Sequence, residues 1–179
     1  MTTQEREHQW DASYLIVSGA ATARRVPSLL PSLLPHLPGL RTLLTDNAAR
    51  IIAPRELAMV PGHTIVESYF DASILPRPPE GPLVVLPCSF NTLHKLAHGV
   101  ADSLALSVTQ EAIGRCTPVL VVLSLNTPLW EHPLTTVSVA RLREWGVQVL
   151  EPRPDAHGYY TLVPDADIIA AVQALVCAD

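Results

Sequence analysis

Five short apolar runs, each closed by Gly, Pro or a small polar residue, constrain this chain more than any other feature. They are YLIVSG (14–19), LRTLLT (40–45), GPLVVLP (81–87), TPVLVVLS (117–124) and VQVLEP (147–152). Runs of this length, apolar on both faces, predict strands of a parallel sheet covered on two sides. Helical periodicity fills the gaps. Residues 91–115 recur at three and four, with a break at Gly99 and a new cap at Asp102. Residues 134–145 end at Gly146, and residues 165–177 start from Asp165 as N-cap. Strand and helix in alternation predict an α/β fold, a three-layer sandwich with right-handed crossovers.

Two stretches fit less well. Residues 22–34 predict the first crossover helix, yet Pro27, Pro31, Pro35 and Pro38 fall in it or just beyond. An interior Pro removes a hydrogen bond and kinks a helix. Residues 53–80 carry five prolines with weak periodicity and read as a long functional surface loop. At 179 residues and 48% hydrophobic, the chain has core enough for a single domain and little room for two.

Composition excludes several partners. Seventeen acids against twelve bases leave a net charge of −5, the wrong sign for general nucleic-acid binding. Arg24 and Arg25 are the one local basic spot. No apolar run approaches the roughly 18 residues of a membrane span. The N-terminus, MTTQEREHQWDAS, lacks the basic-then-apolar order of a signal peptide. Cys88, Cys116 and Cys177 are odd in number and widely spaced. They form neither a disulfide framework nor a metal-ligand motif, so no metal is expected and a reducing cytoplasm is the expected home. With only 16% charged residues, some apolar surface is expected to be buried between subunits.

In open parallel sheets, ligands bind at the carboxyl ends of the strands. Those ends carry Ser18-Gly19-Ala20, Thr45-Asp46-Asn47, Pro87 to Thr92, and Ser124 to Trp130. In VSGAAT, Gly19 permits a tight turn, and the helix start after it offers free N–H groups to a phosphate. An ordinary strand-to-helix turn is the alternative. GxGxxG and GxxxxGK[ST] are both missing, so a dinucleotide or triphosphate site has no support. In PCSFNT, Ser89, Asn91 or Thr92 either caps the next helix or lines a site. In LSLNTPLWEHP, Asn126 and Trp130 are either turn and core residues or part of the same site.

Taken together, these segments carry a resemblance. Pro87-Cys88-Ser89-Phe90-Asn91-Thr92 resembles the P-A-S-A-N-T segment of the homo-oligomeric flavin-containing cysteine decarboxylases. Leu123 to Trp130 resembles their P-x-M-N-x-x-M-W, and AHGVADSLAL (97–106) their A-N-G-I-A-D-N-L-L. The resemblance spans most of residues 13–152. It implies a Rossmann-like, flavodoxin-like parallel sheet that binds FMN between subunits and assembles as a trimer or a dodecamer of trimers. It places the FMN phosphate on Gly19, Ala20 and Ala21, helped by Thr45, Asp46 and Asn47. The flavin ring would lie along Ser89, Phe90, Asn91 and Thr92, near Ser124. Asn126, beside Leu125, would hold the carboxylate of a terminal cysteine, with Trp130 anchoring the loop.

The departures from the family pattern are specific. Leu123, Leu125 and Leu129 stand for one Pro and two Met, apolar swaps that packing tolerates. Cys88 and Phe90 stand for two Ala, and Phe90 is large enough to reshape the pocket rim. The family's catalytic His, fourteen residues before Pro87, falls on Ser73, which is no base at neutral pH. His63 is the nearest substitute, and His157 a second.

The segment EPRPDAHGYYTLVP (151–164) corresponds to a substrate flap but lacks Cys. Family members that make 4'-phosphopantetheine re-reduce their product with a flap Cys. The resemblance therefore favours the branch that acts on the C-terminal Cys of a ribosomally made precursor peptide. There Tyr159, Tyr160 and Leu162 would clamp the peptide. The implied reaction is oxidation of the cysteine by FMN followed by loss of CO2, giving an aminoenethiol for aminovinyl-cysteine formation. The competing readings are a phosphopantothenoylcysteine decarboxylase-like enzyme, a non-catalytic FMN-binding regulator (which Ser73 keeps open), and an α/β binding domain without flavin. A flavin prenyltransferase fits poorly, because SGAAT does not match its Gly-Ser-Gly start.

Overall fold

Residues 10–177 are described by the computed structural model. Residues 1–9 and 178–179, including His8 and most of the stretch read for a signal peptide, lie outside the described residues. The strands are β1 (Ser13–Val17), β2 (Leu40–Leu44), β3 (Thr64–Ile65), β4 (Leu83–Cys88), β5 (Val119–Leu123) and β6 (Gln148–Leu150). They form one parallel sheet in the order β3-β2-β1-β4-β5-β6. Five of the six fall on the five apolar runs. Taken alone, those five have the flavodoxin-like order, and β3 extends the sheet to the Rossmann order. Only two residues long and paired with Arg41–Thr42, β3 is too short to show a period and breaks the loop expected over 53–80.

Alternation of side chains along the strands builds the layers. Ile16, Leu43, Val85 and Val121 face one side. There α4 (Phe90–Ala97), α5 (Leu104–Gly114) and α7 (Pro133–Glu144) cover them. Leu15, Val17, Val84 and Val122 face the other side, against α1 (Val26–Leu33) and α8 (Asp165–Cys177). The short helices α2 (Asp46–Ala49), α3 (Pro54–Leu57) and α6 (Thr127–Trp130) complete the chain. No helix of the described residues is long and apolar enough to cross a membrane.

Several local expectations are corrected. The first crossover is three pieces: a 3-10 turn at Ala21–Arg25, then α1, then a second 3-10 turn at Leu34–His36. Pro27 sits in the first turn of α1, where no N–H is required, while Pro31 is interior. Ser103, not Asp102, caps α5 by accepting the Leu106 N–H. Asp102 instead pairs with Lys95 at 2.5 Å. Asp165 is the first residue of α8 rather than its cap, and its carboxylate pairs with Arg25. Arg25 is thus engaged within the fold and does not form a free basic spot with Arg24. Inside the expected flap, β7 (Arg153–Pro154) and β8 (Tyr160–Thr161) pair as a small antiparallel hairpin.

Candidate functional site

Strand order reverses between β1 and β4. The chain leaves β1 toward the face covered by α1 and leaves β4 toward the face covered by α4, so a crevice opens between the two exits. Ser18, fully buried, ties its floor. Its hydroxyl donates to the Pro87 carbonyl at 2.7 Å and accepts the Ser89 N–H at 2.8 Å. A third exit adjoins them, because Ser124 N–H donates to the Cys88 carbonyl at 2.9 Å.

Two adjoining clefts open above this floor. The larger, about 480 Å³, is lined by Gly19, Ala20, Ala21, Thr22, Asn47, Ser89, Phe90, Asn91, Ser124, Leu125, Asn126, Leu129, Tyr160 and Thr161. The second, about 240 Å³, shares Gly19, Asn47, Ser89 and Asn91 and continues over Thr45, Asp46 and Thr92 to Arg50, Lys95 and Asp102. Every residue expected to contact the cofactor lines one of the two. Thr22, Arg50 and Lys95 were missed. Thr22 bonds across the cleft to the Ser124 hydroxyl at 2.7 Å, a contact between residues 102 apart that no local pattern encodes.

The helix starts around the crevice differ in one respect. Thr45, Ser89 and Asn126 cap α2, α4 and α6 with their own side chains. The 3-10 turn after β1 has Ala20 at its cap position, no side-chain cap and no acidic residue in its first turn. Its first N–H groups are therefore left for an anion. Gly19 makes the approach possible. A Cβ there would stand 2.4 Å from the Asn47 Cβ and 3.2 Å from the Asn47 carbonyl carbon, so only glycine lets the β1 and β2 exits pack this closely.

Asn126 uses half of its amide. Its Oδ1 accepts the Leu129 N–H at 3.2 Å, and Nδ2 takes no other bond among the described residues. The hairpin is seated beside it: Tyr160 N–H donates to Thr127 Oγ1 at 3.1 Å, and the Tyr160 and Trp130 rings lie 5.8 Å apart. Tyr159 is 66% exposed and does not line the cleft, whereas Leu162 is 4% exposed and packs in the core under α8. Leu162 therefore holds the hairpin base instead of facing a ligand.

None of the candidate bases lines either cleft. Ser73 donates its hydroxyl and its N–H to Asp71 Oδ1 at 2.6 and 2.8 Å, and these bonds hold the Asp71 carboxyl below its ordinary pKa. His63 has both ring nitrogens engaged, with Thr42 Oγ1 at 2.7 Å and the Leu57 carbonyl at 3.0 Å. His157 is exposed within the hairpin turn. Burial pushes the Cys88 thiol far up, so it stays protonated.

Phe90 turns its ring onto His94 and His132, with centroids 4.1 and 5.2 Å away. His94 Nδ1 bonds the Ser138 hydroxyl at 2.8 Å, and its Nε2 is buried with no partner among the described residues. Burial lowers the His94 pKa, and His132 and His98 add to the effect. The folded chain thus holds His94 neutral. Acidification from about pH 6.5 downward protonates the unfolded chain first and destabilises the native state. Phe90→Ala is expected to hydrate Nε2 and raise the His94 pKa toward its ordinary value, which an NMR titration of the imidazole protons checks.

A model of the flavoprotein family matches residues 1–176. The coenzyme A biosynthesis bifunctional protein CoaBC of Thermococcus kodakarensis is 24% identical over 145 residues, covering 78% of this chain and 36% of the relative. This chain therefore spans about a third of the length of the bifunctional relatives it matches. Mouse phosphopantothenoylcysteine decarboxylase is 29% identical over 143 residues, 73% of this chain and 67% of the relative. Among solved structures, the FMN-dependent cysteine decarboxylase SpaF is 26% identical with a TM-score of 0.75, covering 96% of this chain and 99% of SpaF. The chain belongs to the flavoprotein family.

Proposed function

We propose that this chain is an FMN-dependent decarboxylase of the C-terminal cysteine of a ribosomally made precursor peptide. One observation carries the reading: a hairpin without cysteine lines the same cleft as the half-free amide of Asn126. The cleft residues fit FMN. The uncapped 3-10 start and Gly19 suit its phosphate, and the elongated joined clefts suit its ribityl chain and ring. When bound, FMN supplies the electron acceptor for oxidising the cysteine.

The chain's own residues do the rest. Asn126 Nδ2 donates to the terminal carboxylate and orients it. Leu125, Leu129 and Tyr160 exclude water from it, which favours departure of CO2. Met59 and Phe70, 82% and 87% exposed on the 53–80 segment, support a subunit interface. In this reading the protein is a cytoplasmic trimer or dodecamer.

Without a histidine at position 73, the substrate thiolate arises by simple ionisation. A few per cent is present at neutral pH for a thiol of pKa about 8.5. Turnover is expected to climb with pH toward the thiol pKa, and Ser73→Ala to cost at most a few-fold, since its hydroxyl serves Asp71. A rate plateau set by a group near pKa 6.5 contradicts this and returns attention to the histidines.

The second reading is a phosphopantothenoylcysteine decarboxylase, which the mouse relative favours. Mass spectrometry of a Cys-terminated peptide and of phosphopantothenoylcysteine, each incubated with the FMN-loaded protein, separates the two. The peptide is expected to lose CO2 and two hydrogens. Turnover of phosphopantothenoylcysteine alone overturns the peptide reading, and inactivity on both with FMN bound favours a regulator.

A further inference from the structure

We propose that Arg25 is a positioning residue that seats the β7–β8 hairpin on the cofactor cleft, so that filling the cleft steadies the hairpin. The inference rests on the FMN reading above. The hairpin has only two paired positions, Arg153 with Thr161 and Pro154 with Tyr160. A ladder this short does not hold itself in water, so its position is set by its anchors.

Beyond the buried Leu162 and Val163 at its base, three polar or aromatic anchors are present. Arg153 pairs with Asp167 at 2.7 Å, at side chains 62% and 34% exposed, a surface pair of small worth. Tyr160 meets Thr127 and Trp130 on α6. Arg25 is the third. Its guanidinium donates to the Val163 carbonyl at 3.0 Å and the Leu162 carbonyl at 3.5 Å, and pairs with Asp165. This fork holds the segment that leads out of β8 at three acceptors within four residues, on Leu162, Val163 and Asp165, a geometry that a lysine ammonium does not reproduce.

Arg25 alone among the anchors belongs to the cofactor turn. It is the last residue of the 3-10 turn whose opening residues, Ala21 and Thr22, wall the larger cleft. That turn is short, uncapped by any side chain and ends on its two arginines. An anion on its free N–H groups fixes the turn and, one turn later, the Arg25 backbone. The hairpin supplies Tyr160 and Thr161 to the same cleft. Cofactor and hairpin are thereby linked through five residues of chain.

The test is limited chymotrypsin digestion of the full-length protein, apo and FMN-loaded, with cleavage after Tyr159 and Tyr160 followed by mass spectrometry. FMN is expected to slow this cleavage at least about fivefold, the low end of usual coupling between two sites. Arg25→Gln is expected to bind FMN more weakly by the factor of protection it loses, roughly fivefold by quenching of flavin fluorescence, and to show no FMN protection even at saturating FMN. Arg25→Lys is expected to restore only part of it. A purely structural role raises cleavage equally with and without FMN, and that result overturns the proposal, as does full protection in Arg25→Gln. Failure of the wild type to bind FMN overturns instead the cofactor reading, and the coupling with it.

Discussion

Asn126→Ala is expected to keep FMN and to lose decarboxylation of a Cys-terminated peptide by about a hundredfold or more, the usual cost of one pre-organised polar contact. The side chain has two jobs that substitutions separate. Its Oδ1 caps α6, and loss of a cap costs about 1 kcal/mol of stability. Its Nδ2 is the donor available to a carboxylate. Asn126→Asp keeps the cap but sets one carboxylate against another, so it should be as inactive as Asn126→Ala while melting like wild type. Flavin absorbance after gel filtration, melting temperature and product mass together decide the matter. Loss of flavin from Asn126→Ala makes the residue a cofactor contact and removes it from substrate binding. Full activity in Asn126→Asp removes the carboxylate role.

Gly19→Ala is expected to weaken FMN binding about ten- to a hundredfold. The added Cβ meets the Asn47 Cβ at 2.4 Å and the Asn47 main chain at 3.2 to 3.3 Å. Asn47 is held by α2, whose start is capped by Thr45 and whose Thr45 N–H donates to the Val17 carbonyl at 3.0 Å. The exits of β1 and β2 must therefore part. Overpacking of this kind costs about 1–3 kcal/mol. Paid where both exits wall the clefts, it appears as lost affinity, at about 1.4 kcal/mol per tenfold. Fluorescence titration with FMN reads the effect. Unchanged affinity shows that the ligand does not need the close approach of the two exits.

Much of this architecture is readable from local chemistry. The runs around Leu15, Val85 and Val121 are almost continuously apolar because both faces of their strands are buried, and such continuous apolarity survives in a bare sequence. Ser89 and Asn126 announce themselves as cap residues, since a helix start needs such a side-chain acceptor. The start of α5 is ambiguous in sequence because Asp102 and Ser103 are neighbours and both suit a cap. Backbone geometry alone chooses between them.

What tertiary structure decided is of another kind. The Thr22–Ser124 bond, the fork of Arg25 on Leu162 and Val163, the engagement of both nitrogens of His63 and the burial of Leu162 join residues from 6 to 138 positions apart. A hydroxyl or guanidinium carries no mark in sequence of which distant partner will satisfy it. That choice follows from strand order, which brings the exits of β1, β4 and β5 to one crevice. The sequence determined that strands would be buried and where each would end. The crossing of the chain between β1 and β4 determined which ends would face one another, because a crevice forms only where neighbouring strands send their chains to opposite faces.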